Sequence, residues 1–155
     1  MNDANLHLAG LLKSTAEVVM SEFREELEQT EFADIRPTHG CIFRFVGDEG
    51  MRLTRLAELA NLTKQSVGEI VDDLTELGYV ERASDPDDRR AKLIRLTERG
   101  IRAQRLGHEI SARIEARLSD RYGADRVAAL RALLEEIVAA EAPGAVPELA
   151  GSIQP

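Results

Sequence analysis

The stretch Arg52–Arg99, RLTRLAELANLTKQSVGEIVDDLTELGYVERASDPDDRRAKLIRLTER, most constrains what this chain can fold into. Thr54 is a good N-cap for a short helix over 55–60, whose Leu56, Ala57 and Leu59 can pack inward. Asn61-Leu62 turns the chain. Thr63 then caps a second helix over 64–77, with Val67, Ile70, Val71, Leu74 and Leu77 on one apolar stripe. Gly78 suits the residue after that helix. Two strand candidates follow, 79–84 and 92–96, joined by the polar loop Asp85-Pro86-Asp87-Asp88-Arg89-Arg90-Ala91, and Ile94 and Leu96 alternate with Leu93 and Arg95. A loop of that length projects from its hairpin.

Two helices joined by a short turn make a helix-turn-helix, in which the first braces the second and the first turn of the second enters a DNA groove. Thr63, Lys64, Gln65 and Ser66 place donors on that turn, and Gly68 removes a side chain from the approaching face. Gln65 has the geometry to pair with adenine and Lys64 with guanine. An ordinary amphipathic helical hairpin has the same apolar stripe. The arginine-tipped hairpin behind it makes the pattern that of a winged helix, where Arg89 or Arg90 can reach the negative potential of a minor groove and Asp87 or Asp88 can hold the arginine. The second helix also carries Glu69, Asp72, Asp73 and Glu76, which oppose a phosphate backbone. Asp72 is therefore expected on a nearby arginine such as Arg82. This acidity leaves open a second reading, a winged-helix module that binds protein instead of DNA.

The flanks read as long helices. Leu8, Leu11, Leu12, Val18, Val19, Phe23 and Leu27 recur at helical spacing within 3–28, a length that suggests packing against a partner as well as the chain's own core. A shorter helix over 37–46 starts at Pro37, with Gly40 inside it, and Gly47-Asp48-Glu49-Gly50 ends it. Thr97 caps a helix reaching Tyr122, Gly123 breaks it, and Asp125 caps a last one; 142–155 reads as a loose tail.

Net charge is −8, but residues 1–50 hold 10 acidic and 4 basic side chains, whereas 51–97 hold 9 and 8. Positive charge clusters at Arg82, Arg89, Arg90, Lys92 and Arg95, a pattern that fits a DNA-binding tip on a non-binding body. No membrane span or signal peptide is discernible, and the single Cys41 cannot form an internal disulfide, so a cytoplasmic setting is expected. Cys41 itself reads as an inert, buried thiol. Enzyme signatures fail: His108-Glu109 lacks the second histidine of a zinc-protease helix, with Ala112 in its place, and no cofactor or metal site is expected.

The run from Leu56 to Gly100, with Asp85-Pro86-x-Asp88-x-Arg90 followed by Leu96-Thr97-x-x-Gly100, resembles the multiple-antibiotic-resistance regulator (MarR) family. The resemblance is close over roughly 35–100. It implies a mainly α fold with a small antiparallel β-hairpin wing: a winged helix-turn-helix (34–97) plus a long-helix dimerisation domain (1–33 and 98–141) within one domain. It further implies a homodimeric regulator, with a dimeric repressor as the leading form, bound to double-stranded DNA at a palindromic operator. In this light Arg90 is the wing arginine and Asp88 its support. The candidate DNA contacts are Thr54, Thr63, Lys64, Gln65, Ser66, Gly68, Arg82, Asp88, Arg89, Arg90 and Lys92. An effector cavity in the family lies beside the helix that carries His39, Arg44 and Phe45, which become candidate contacts for a small phenolic or aromatic carboxylate ligand.

Overall fold

A computed structural model of the chain describes residues 7–88 and 90–141; Arg89, the 142–155 tail and the start of the first anticipated helix lie outside the described residues. Helix α1 spans Leu8–Glu28. Its last turns pack Val19, Phe23 and Leu27 on the core, while Leu8, Leu11, Leu12 and Val18 stand exposed. The helix anticipated over 37–46 is two pieces, a 3-10 turn at Pro37–His39 and helix α2 at Gly40–Phe45. The tight turn forms because the Arg36 N–H donates to His39 Nδ1 at 3.1 Å, and Pro37 needs no partner for an N–H it lacks.

Strand β1, Met51–Arg52, leads directly into helix α3, Leu53–Ala60. This corrects the capping role expected of Thr54. Pairing of Met51 with Ile94 and of Arg52 with Leu93 holds the chain extended through Arg52, so the helix starts at once and Thr54 lies inside its first turn. Asn61 turns the chain in the left-handed region (φ 52°), which asparagine tolerates better than most side chains. Helix α4, Lys64–Glu76, is capped by Thr63, whose Oγ1 accepts the Ser66 N–H at 3.1 Å. Its Val67, Val71 and Leu74 are fully buried, each stabilising the fold by roughly 1.5–3 kcal/mol relative to exposure. Gly78 (φ 78°) reverses the chain so that the Tyr79 N–H bonds the Leu74 carbonyl at 2.8 Å.

Strands β2 (Val80–Ser84) and β3 (Lys92–Leu96) form the hairpin, and the antiparallel sheet runs β1-β3-β2. Helix α5, Glu98–Tyr122, is capped by Thr97, which accepts the Gly100 N–H at 3.1 Å. Helix α6, Ala124–Glu141, follows Gly123 (φ 99°) immediately. Asp125 is thus a first-turn acid of α6, not its cap. The core gathers Ile42, Val46, Leu56, Tyr79, Val80, Ile94 and Ile110 around the α4 stripe. No residue of α6 is buried.

A junction ties this core to α5. The Tyr79 ring, 0% exposed, lies 5.7 Å from Phe43 edge-on and 6.1 Å from Phe32. Its hydroxyl donates to Asp34 and receives Arg99 Nη2 at 3.0 Å, while the Arg99 guanidinium stands 4.5 Å over the ring. Burial, with Asp34 beside it, pushes the phenol up to about 12.

Candidate nucleic-acid interface

Helices α3 and α4 leave the first turn of α4 in solvent: Thr63, Lys64 and Gln65 are exposed and Ser66 is half-buried. The early amides of a helix have no intrahelical acceptor, so this turn carries donors as well as the positive end of the helix dipole. Thr63 Oγ1 also meets Ser66 Oγ at 2.8 Å, and Gln65 Nε2 donates to Glu69 at 3.2 Å. Among the described residues, nothing outside its own turn of helix lies within 4 Å of where a Gly68 Cβ would stand, so packing there does not demand glycine.

Two of the four acids of α4 are paired internally. Asp72 accepts Arg82 Nη2 from β2 at 2.7 Å, as anticipated, which turns Arg82 toward the helix. Asp73 is paired with Arg36 and accepts His39 Nε2 at 2.6 Å. His39 is 1% exposed, and desolvation, then the Arg36 charge, pushes its imidazole below the usual range, so the ring is neutral near pH 7. Because Nδ1 accepts the Arg36 amide, the proton belongs on Nε2, facing Asp73.

In the wing, the carboxylate that organises the base is Asp85, not Asp88. Asp85 is buried; its Oδ2 takes Arg52 Nε at 2.7 Å and Nη2 at 2.5 Å, and its Oδ1 accepts the Asp87 N–H at 2.9 Å. The Asp87 amide first, and Arg52 second, hold its carboxyl below the usual range. Asp88 accepts the backbone N–H of Arg90 at 3.0 Å and so shapes the turn; no bond from Asp88 to the Arg90 guanidinium forms among the described residues, which corrects its role as side-chain support. Arg90 and Lys92 are exposed, with Lys92 Nζ 3.3 Å from Ser84 Oγ across the hairpin base. Thr54 is exposed on α3. The Arg52–Asp85 pair escaped the sequence reading; its one trace there was an aspartate opening a turn, the usual place for a carboxylate to bond a backbone amide two residues on.

A cavity of about 500 Å³ lies between α1, α2 and α5. Of the three expected ligand contacts only Arg44 lines it. His39 faces α4 instead, and Phe45 is in the core at 7% exposure. The chain enters α2 from a 3-10 turn, and it is Phe43 that reaches the cavity. Phe23, Leu27 and Ile35 add apolar walls; Arg24, Arg36 and His108 add polar ones. Gln104, also lining it, donates to the Phe43 and Val46 carbonyls at 2.7 and 3.0 Å. The Cys41 thiol is half-buried 3.5 Å from the Thr38 carbonyl, and burial pushes it up, away from the reactive thiolate.

A braced helix with an exposed capped first turn, followed by a hairpin packed on the same core, defines a winged helix-turn-helix protein. Residues 33–91 match the model of the MarR family. Rv2011c, an uncharacterized protein of Mycobacterium tuberculosis, is 29% identical over 133 residues, 86% of each chain. Among solved structures, CouR, a transcriptional repressor bound to a 23-mer DNA duplex, superposes with a TM-score of 0.73 at 23% identity, covering 89% of this chain and 96% of that one. CouR of Rhodococcus jostii bound to p-coumaroyl-CoA gives 0.68 at 24%, covering 92% and 97%. FabT of Streptococcus pneumoniae in complex with DNA gives 0.71 at 20%, covering 84% and 92%. Among the described residues no helix is long and apolar enough to cross a membrane.

Proposed function

We propose that this chain is a homodimeric repressor that reads a palindromic operator with the first turn of α4 and the wing, and releases it when a small aromatic carboxylate or phenol fills the cavity. The observation that carries the reading is the division of charge on α4. Thr63–Ser66 face solvent, while Asp72 and Asp73 are taken up by Arg82, Arg36 and His39. That halves the electrostatic objection to a phosphate backbone beside this helix, leaving exposed Glu69 and Glu76. Thr63, Lys64, Gln65 and Ser66, with Gly68 allowing close approach, would meet the major groove, and Arg90, with Arg89, the minor groove. Thr54 and Lys92, both exposed, would meet phosphates, and Arg82 and Asp88 would act by shaping the surface.

Dimerisation through 1–33 and 98–141 is supported by apolar side chains left in solvent: Leu11 and Val18 on α1, and Leu130, Leu133 and Ile137 on α6. Two recognition helices must then sit about one DNA turn, ~34–36 Å, apart. The cavity adjoins both the long helices and α2, so a ligand there favours one spacing over another. Its apolar walls with arginines at the edge suit a flat, anionic ligand, and the CouR complex with p-coumaroyl-CoA is an example of an aromatic acyl ligand on this fold.

Selection from a library of random duplexes, followed by titration of the enriched sequence, tests this. A two-fold symmetric site should emerge, affinity should fall steeply with salt because counterions are released, and Arg90→Ala should weaken binding more than about tenfold, ~1.4 kcal/mol, with the dimer intact. Failure to enrich any duplex, with salt-insensitive protein capture instead, selects the protein-binding module.

A further inference from the structure

Arg36, His39 and Asp73 form a contact between the segment before α2 and the middle of the recognition helix, and its chemistry is one-sided. His39 is 1% exposed, and both ring nitrogens have protein partners. Nε2 must carry a proton to bond Asp73 at 2.6 Å, and Nδ1 must lack one to accept the Arg36 amide at 3.1 Å. A second proton, on Nδ1, would face the Arg36 N–H head-on. That amide would have to move, and with it the Arg36 backbone whose guanidinium is the other partner of Asp73. The charged groups around the imidazole are few. Asp34 and Arg36 come from its own segment; Asp73, and Glu69 along the same groove, come from α4. Asp34 is itself engaged by Arg99 and Tyr79, and Asp73 is shared between Arg36 and Nε2, so a second proton would leave the Asp73 bond in place and break the bond from the Arg36 amide.

We propose that His39 is a positioning residue for the recognition helix, tying Asp73 of α4 to the Arg36 backbone in its neutral form and expelling the Arg36 amide when protonated, so that operator affinity is proton-linked through this one side chain. The inference rests on the DNA-binding reading above. Lys64 to Ser66 are about two to three turns from Asp73 along α4, so a tilt of the helix at Asp73 displaces its groove-reading end. Protonation acts on the fit to specific sequence, whereas a general gain of positive charge would raise non-specific affinity.

The test compares wild type with His39→Gln, whose amide supplies a donor toward Asp73 but does not titrate. Affinity for the duplex enriched by the wild type, and for a scrambled duplex, is measured by fluorescence anisotropy from about pH 8 to pH 5. If only the neutral form binds specifically, the wild-type specific affinity falls below the histidine transition with a limiting slope of about one log unit per pH unit for each protomer, or about two for the dimer. The His39→Gln profile stays flat relative to it, and scrambled-duplex binding does not fall in either. Superimposable wild-type and His39→Gln profiles overturn the proposal. If His39→Gln does not fold, long-range 15N-correlated NMR of the wild type reads the His39 ring directly: the Nε2–H form at neutral pH, lost in step with operator affinity, supports it. An imidazolium at His39 in the operator complex overturns it. The NMR titration needs no DNA, so failure to enrich any duplex would sink the DNA-binding reading while a neutral, Asp73-bonded His39 that opens on acidification would still stand as the latch.

Discussion

Thr63 does two separable things, and one substitution can divide them. Its Oγ1 closes the first turn of α4 on the Ser66 N–H, and its exposed position puts whatever replaces it at the groove-facing end. Thr63→Ala removes the cap and should cost about 1 kcal/mol of folding stability. Thr63→Asp keeps an acceptor at the same place and gains roughly 0.3–1 kcal/mol from the helix dipole, so folding should be as stable as wild type or slightly more so. Binding should respond in the opposite sense. A carboxylate ~5 Å from a DNA phosphate is repelled by about 1–3 kcal/mol between the dielectric of water and that of a protein surface, roughly a five- to hundredfold loss of affinity. Urea unfolding followed by circular dichroism gives the first quantity; anisotropy titration of the enriched duplex, repeated from about 50 to about 200 mM salt, gives the second. Wild-type affinity in a folded Thr63→Asp protein would refute the placement of this turn against DNA.

Gly100→Ala should destabilise the protein by at least ~1–3 kcal/mol and lower its thermal midpoint, because the added Cβ would stand 2.1 Å from the Tyr79 carbonyl oxygen, a backbone atom with nowhere to go. Gly107→Ala should be neutral, its Cβ in ordinary contact 3.6 Å from Phe23, whereas Gly107→Leu should fill the cavity; operator binding would persist while aromatic carboxylates lose their effect in a release assay. Folding stability should be flat through neutrality and decline as pH drops below about 6.5, since the unfolded chain protonates its histidine there while His39, held below that value, stays neutral; His39→Gln should blunt this part of the acid slope in urea midpoints.

Much of the fold was legible where local rules act alone. Thr63 and Thr97 cap the helices assigned to them, Gly78 and Gly123 take positive φ where the helices stop, and the hairpin pairs as its alternation implies. The misreadings share a cause. Thr54 looks like a cap until β1 pairs with a strand some forty residues later and draws the helix start forward. Asp88 looks like the wing carboxylate until Arg52, distant in sequence, arrives at Asp85. His39 and Phe45 look like cavity residues until Asp73 claims the imidazole and the core claims the ring. In each case a partner from another part of the chain chose between two locally acceptable roles, and no spacing within a segment records that choice. The Asp72–Arg82 pair was accessible because an acid on a helix expected to face DNA demands a partner and few cations were at hand.

The Tyr79 junction has a mechanical consequence. This residue ends the reversal after α4 and immediately precedes β2 of the wing, and it is clamped by Asp34, Arg99, Phe32 and Phe43 together. Helix and wing therefore share with the long helices one residue at which all of them meet. In the proposed dimer on DNA, a ligand that displaced Phe43 from the cavity side would press on the root of both groove-contacting elements at once.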